Sequence, residues 1–511
     1  MMKTPAFSPD SKPLVLPQEM QRGVAYSRGR RRSLAAVLAS VSLALGACGG
    51  DDAAVESPTT ESTGPVVHEG AFDTTMKGAW RMLGEGRVIE VGDKEIRVFQ
   101  ETNSICYSDP RGLPGEILKG FTYRYVAAPG RVTADLYATA GSPSAYTLER
   151  LDKVPERCKK APPTDPATVF KTMWEIFNLD YGFFKERHID WTAKWASLQP
   201  KAAAARDDDA LQAVLVEAIQ DFNDDHVSLL RYQGDEAVFY TDASNSPTVQ
   251  LLRRAYAAQS DVPSLGQFQM QWWERMTVSM SRRLVPGTET QALNGAMTWG
   301  MLPGNIGYIR LSRMEGYADE QNTAADLEAV RAQMDRVIAA LADTKAIVFD
   351  IALNTGGYDV VGAEVAGRFA DKRRLAFTVQ QHRPQGRKNQ EWFVEPKGAR
   401  QYLKPVYLLT TDFTVSAGDT FTLMMRELPH VTHIGQPTSG AMSNKLDKAL
   451  PGGKFVVTLS NESYFDAKGV LYEGRGIPPK VALEVFYPSN PASLYTGHEA
   501  AIGKIIEMIG G

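Results

Sequence analysis

Four short segments of this 511-residue chain carry groups suited to acyl-transfer chemistry. The first is Val415-Ser416-Ala417-Gly418-Asp419, which follows the apolar run Val406-Tyr407-Leu408-Leu409-Thr410 and opens a helical pattern. A hydroxyl at that junction is exposed on a tight turn, and the helix N-terminus offers free N–H groups and positive potential to an oxyanion. Serine is also a favoured helix cap, so position alone leaves both roles open. The second segment is Gly356-Gly357, after a second apolar run at 346–351. A glycine pair permits close backbone approach, and its N–H groups could complete an oxyanion hole with that of Ala417, or could simply make a turn. An acylating serine also needs a base. His226, one of seven histidines, ends the acidic turn Asn223-Asp224-Asp225-His226, where it is either that base or a surface imidazole. Glu473, in Tyr472-Glu473-Gly474-Arg475-Gly476-Ile477-Pro478-Pro479, could orient an imidazole as the third member of a Ser-His-carboxylate set; alone it is a charged loop residue.

Elements far apart in the chain must hold these segments together. Residues 301–488 alternate strands with helices of ten or more residues, which predicts βαβ units and a largely parallel sheet. In such sheets functional residues collect at the carboxyl ends of strands, where Asn354-Thr355-Gly356-Gly357, Ser416 and Thr438-Ser439-Gly440 all fall. Residues 161–235, carrying His226, read as a helical subdomain, because apolar residues recur near i, i+3, i+4 and i+7. Residues 67–160 show period-two alternation punctuated by Gly92-Asp93 and Ala128-Pro129-Gly130, so a small β domain is expected. Residues 236–300 form an insertion of unclear role with helical pieces, and 489–511 a terminal helix.

Composition narrows the functional classes. A hydrophobic share of 43% and a charged share of 23% fit a globular protein and exclude a mainly disordered or fibrous chain. Residues 1–47 carry a net charge of +5, so a chain totalling −4 leaves −9 on its body. An acidic body has no footprint for nucleic acid, and no such partner is expected. Arg28, Arg30, Arg31 and Arg32 precede an apolar run from Leu34 to Ala47, the pattern of a signal peptide over 1–47. Leu45-Gly46-Ala47-Cys48 resembles the bacterial lipobox, which predicts lipidation of Cys48. Export follows, with lipid as the only membrane attachment, and Gly49 after the cysteine resembles outer-membrane sorting to the periplasmic face. Residues 48–66 read as a disordered tether. Cys106 and Cys158 remain, and an oxidising compartment favours a disulfide between them. No Cys/His spacing supports zinc, and no metal or cofactor is expected.

Taken in chain order, the motifs resemble the C-terminal-processing (tail-specific) serine peptidase family, in its tricorn-core and retinoid-binding-protein-like branch. They are Asp-Asp-His226-Val-Ser-Leu, Asp350-x-x-x-Asn354-x-Gly356-Gly357, Ser416-Ala417-Gly418-Asp419, Ile434-Gly435-x-x-Thr438-x-Gly440 and Glu473-Gly474-x-Gly476-Ile477-x-Pro479. The resemblance spans roughly residues 165–488. It implies an α/β fold with a Clp/crotonase-like catalytic core, a preceding helical subdomain and a small N-terminal β domain. It also implies Ser416 as nucleophile and Gly357 with Ala417, beside Gly356, as the oxyanion hole. The family's lysine base would stand where this chain has Ala441, so the resemblance points to the Ser416–His226–Glu473 set of the tricorn-like branch. A further departure is Ala352, where the family has arginine, which predicts a looser oxyanion loop. The function implied is a serine endopeptidase acting on peptides or unfolded protein. The alternative is an inactive homologue that binds a peptide or lipophile as a lipoprotein; an acyl-CoA enzyme of crotonase type fits neither export nor the charge pattern.

Overall fold

Every residue of Ile306–Leu311 and Ala346–Asp350 is buried in the computed structural model, Arg310 and Asp350 included, which is why these strands read as mostly apolar runs: both sheet faces are covered. The structure describes residues 60–510 apart from 113–117, 119, 140–141, 259–260, 320–321 and 384–385, so the signal segment, Cys48 and the tether up to residue 59 lie outside the described residues. The two strands run parallel with Val406–Thr410, Val431–Gly435 and Val481–Ala482, in that order. Met297–Leu302 and Thr290–Ala292 extend the same sheet antiparallel at one edge, giving seven strands. Side-chain alternation splits the core into two layers. Ile347 and Phe349 pack with Val330, Val361 and Phe421 of helices Thr323–Ala340, Asp359–Ala366 and Ala417–Arg426. Val348 packs on the opposite face with Trp272 and Leu494 of Leu265–Ser281 and Ser493–Gly510. The α/β core expected from the sequence is the one the chain forms.

The helical subdomain begins at Pro166–Asp180, Trp191–Ala204 and Asp208–Ile219. Each is started by an aspartate, Asp165, Asp190 or Asp207, whose carboxylate accepts an otherwise orphaned N–H of the first turn. Phe177, Trp191 and Phe222 fill the space between these helices and a four-stranded antiparallel sheet ordered Glu236–Asp242, Ser228–Gln233, Phe455–Ser460, Lys445–Ala449. His226 thus stands two residues ahead of a strand paired to the part of the chain that follows the Ser416 elbow.

Eight antiparallel strands between Thr60 and Leu151 make the N-terminal sheet. Cys106, on its edge strand Cys106–Ser108, is disulfide-bonded to Cys158 in the turn Glu156–Lys159. The sheet docks on the strand Lys445–Ala449. Lys448, 1% exposed, donates to Glu85 O, to Gly86 O at 3.1 Å and to Gln100 Oε1 at 3.0 Å, while Tyr107 Oη donates to Ala449 O at 2.7 Å.

Two expectations change. The stretch read as tether contains the strand Thr60–Pro65, paired antiparallel with Thr122–Ala128; ladder bonds to a neighbour suffice for it, although Thr-Glu-Ser-Thr-Gly-Pro has no apolar face. The insertion 236–300 is structural. Its helix Leu265–Ser281 covers one face of the central sheet through Trp272, whose ring lies 5.5 Å from Phe413 and 5.4 Å from Phe486, and whose indole N–H donates to Leu494 O at 2.6 Å. Helix Pro247–Ala257 is tied to the same layer where Thr248 donates its N–H and hydroxyl to Asp412, at 2.7 and 2.6 Å.

Candidate active site

Ser416 stands at φ 60°, ψ −119°, immediately before helix Ala417–Arg426, and its side chain makes no capping hydrogen bond. A capping serine has extended backbone and bonds an N–H of the first turn, so the cap role left open by the sequence is not the one the structure shows. Positive φ in a residue with a Cβ costs about 1–3 kcal/mol and persists only where the surroundings impose it. They do here. The Ser416 N–H donates to Ala441 O at 3.0 Å, the Val415 N–H to Asn354 O at 3.0 Å, and the Ser416 carbonyl accepts from the Thr420 N–H at 3.1 Å.

The glycine pair is pressed against this elbow. A Cβ on Gly356 would meet Ser416 Cβ at 2.6 Å and Oγ at 3.1 Å, and one on Gly357 would meet Met314 backbone at 2.6 Å. Their φ values, +84° and +132°, also call for glycine. The Gly356 N–H donates to Asn354 Oδ1 at 2.9 Å, so it is engaged, whereas those of Gly357 and Ala417 have no hydrogen bond among the described residues. Of the three oxyanion candidates, the last two keep their donors free. Ala352 takes the position where the family has arginine. It is fully buried, its N–H donates to Asp350 Oδ1 at 3.0 Å, and its carbonyl accepts from the Thr411 hydroxyl. Asn354, also fully buried, adds a bond from Nδ2 to Leu311 O at 2.8 Å.

His226 is buried, with its own N–H donated to Asp224 Oδ1 at 2.9 Å and its carbonyl accepting from Thr458 at 2.6 Å. Its Nδ1 is buried without a partner. Burial pushes the imidazole down to about 4; Lys445 and Arg187 add to the drop and Asp224 opposes it. The ring is therefore neutral near pH 7 and able to accept a proton. Glu473 is buried too, but its carboxylate is held by the Arg187 guanidinium at 2.8 Å and the Met442 N–H at 3.0 Å. Burial lifts it above the ordinary carboxylate range, against the pull of Arg187. Ser416, His226 and Glu473 are linked through their neighbours. Ala441 bonds Ser416, Met442 bonds Glu473, and Ser439 bonds Asp225 beside His226. The three side chains make no hydrogen bond to one another.

Two buried groups here escaped the sequence reading. Arg187 lies in Lys185-Glu186-Arg187-His188, a charged stretch whose local pattern says surface. Asp419, in the motif after Ser416, accepts the Gly440 N–H at 3.1 Å, and burial pushes it up to about 7. Its signal was its place in Ser-Ala-Gly-Asp. Away from the site, His433 bonds Thr410 Oγ1 at 2.7 Å, and the described residues hold no group of three His, Cys, Asp or Glu arranged for a metal.

A serine elbow thus stands at the carboxyl end of the parallel strands of an α/β fold, with glycine-loop and helix-terminal N–H groups beside it. Residues 305–483 match the model of peptidase family S41, and residues 162–220 match that of the tricorn protease C1 domain. The chain thus carries a segment similar to peptidase family S41, a family of serine peptidases, and a tricorn-like segment upstream of it. Among solved structures, a candidate peptidase from Parabacteroides merdae ATCC 43184 has TM-score 0.50 and 20% identity, covering 67% of this chain and 98% of its own. Mature CPAF complexed with lactacystin has TM-score 0.47 and 11% identity, with 68% and 98% covered. The photosystem II D1 C-terminal processing protease has TM-score 0.35 and 15% identity, with 66% and 99% covered.

Proposed function

We propose that this protein is a serine endopeptidase that cleaves peptide bonds through an acyl-enzyme on Ser416. The observation that carries this is the uncapped, positive-φ serine packed against Gly356, for which the fold alone gives no reason. His226 takes the Ser416 proton as Oγ attacks a peptide carbonyl carbon. The N–H groups of Gly357 and Ala417 stabilise the resulting oxyanion. Collapse expels the amine with the proton from His226 and leaves the ester; water, activated by the same imidazole, then releases the acid and regenerates Ser416. Glu473 stabilises the imidazolium, its acceptor oxygen turning to Nδ1–H from the Arg187 side. Substrates are peptides or unfolded protein segments. The protein is exported and held by lipid on Cys48 at the periplasmic face of the outer membrane; no helix of the described residues is long and apolar enough to cross a membrane.

The test is labelling by a fluorophosphonate together with peptide cleavage. Wild type should lose both on Ser416→Ala; persistent labelling of that variant removes the assignment. A second reading, a lipoprotein that binds a peptide or lipophile without turnover, draws on one observation: Glu473 is bonded to Arg187 while His226 Nδ1 has no partner. A folded wild type that takes no label would favour it.

A further inference from the structure

We propose that Arg187 is a positioning residue that holds the imidazole turn and the Glu473 loop in register with the serine elbow. The inference rests on the assignment of Ser416, His226 and Glu473 above.

Three stretches of chain must meet for that set to work, and one guanidinium touches two of them and the segment that pins the third. The Arg187 side chain is only 3% exposed. Its Nη2 donates to Glu473 Oε1 at 2.8 Å and to Gly440 O at 3.3 Å, and its Nη1 donates to Asn223 O. Its Nε lies 3.3 Å from Asp224 Oδ2, an ion pair without an aligned hydrogen bond. Asn223 and Asp224 are the turn that ends at His226. Gly440 adjoins Ala441, whose carbonyl takes the Ser416 N–H. A planar, rigid fork of donors holds its acceptors in a fixed mutual geometry, whereas a lysine ammonium is a compact charge on a flexible stem with fewer donors.

The surroundings make the cation necessary. Asp224 is fully buried and also accepts from Tyr181 Oη at 3.0 Å and Ser460 Oγ at 3.1 Å, and Glu473 is buried beside it. Two carboxylates this close and this dry repel each other without a charge between them. The charged groups acting on His226 are Asp224 in its own turn, Arg187 from the loop before helix Trp191–Ala204, and Lys445 from the edge strand. Asp225, next to the ring in sequence, is bonded to Ser439. Removing the Arg187 charge leaves Asp224 opposed only by Lys445. The imidazole then holds its proton to higher pH, and so does Glu473.

Fluorophosphonate acylation of the purified full-length chain, followed against pH, tests this with wild type, Arg187→Lys and Arg187→Met. The Met variant is expected to acylate about 10²-fold more slowly, the order of loss that follows a displacement of about 1 Å in reacting groups. The acid limb of its pH profile should also move to higher pH. The Lys variant should fall between. A purely architectural role would lower the melting temperature but leave the rate per folded molecule and the acid limb unmoved, and that result overturns the inference. If Arg187→Met does not fold, Arg187→Lys decides alone, and a rate within about twofold of wild type overturns the inference. Wild type that takes no label on Ser416 overturns the site assignment, and this inference falls with it. A labelled wild type with an unaltered Arg187→Met overturns the inference only.

Discussion

Replacing Gly356 by alanine puts a methyl group into the contact that defines the elbow. Built on the observed backbone, the new Cβ stands 2.6 Å from Ser416 Cβ, 2.9 Å from Val415 O and 3.1 Å from Ser416 Oγ. Carbon atoms rest about 3.5–4.0 Å apart, so roughly 1 Å must come from somewhere. The glycine loop has little to give, because it is paired to residues 312–314 and bonded to Asn354. The serine elbow, held chiefly by single backbone bonds, is the part that moves. Backbone at φ +84° adds about 1–2 kcal/mol for any residue with a Cβ. Stability should therefore fall by about 2–5 kcal/mol once overpacking is included. Displacing a nucleophile by about 1 Å should slow acylation by about 10²-fold. Gly469→Ala separates the two effects. Its φ is +78°, and a Cβ there meets nothing within 4 Å, so it shares the backbone strain and lacks the collision. Urea unfolding and fluorophosphonate kinetics on both variants check the reasoning. Equal acylation rates in the two would refute it.

Opening the Cys106–Cys158 bridge, by reduction or by a double serine variant, removes a cross-link spanning 52 residues. The chain-entropy argument gives a loss of about 4 kcal/mol, readable as a shift in the denaturation of the N-terminal sheet; no shift would mean that the sheet does not need its staple. Acylation should rise with pH through about 4 and level off before neutrality, because the buried His226 ring must be unprotonated to take the serine proton. A rise centred near the ordinary imidazole value would show the ring to be solvated. Folding follows the same sign. The folded ring binds its proton less tightly than the unfolded one, so the His226 contribution to stability is present above the unfolded value and is lost as pH falls toward about 4.

The parallel strands were legible because burial on both faces favours a near-continuous apolar run, and Ile306–Leu311 and Ala346–Asp350 supply one, each with a single charged residue, Arg310 and Asp350. The elbow was legible for a related reason: a small-residue turn between such a strand and a helix leaves a hydroxyl little choice of place. Thr60–Pro65 was not, since an edge strand held by backbone pairing needs no apolar side chains. Leu265–Ser281 was legible as a helical piece, but its role was not, because its buried residues serve two partners, the central sheet and the terminal helix, and neither is near it in the chain. Arg187 could not be found at all. Its burial depends on acceptors at 223, 224, 440 and 473, and nothing near 187 in the chain reports them. Glu473 was singled out by its motif, but motif order does not say which cation it faces, and in the structure that cation is Arg187 rather than the imidazolium.

Lys448 bears on how the molecule can be divided. Its ammonium has its acceptors at Glu85, Gly86 and Gln100, all supplied by the N-terminal sheet, although the residue itself lies seven positions beyond the carbonyl that pins the nucleophile. A fragment starting at residue 161 would unplug that ammonium and uncover Ala449 O, which Tyr107 now satisfies. The seam at residue 160 marks a change of architecture, and a scissors cut there would fray the sheet that carries the His226 turn.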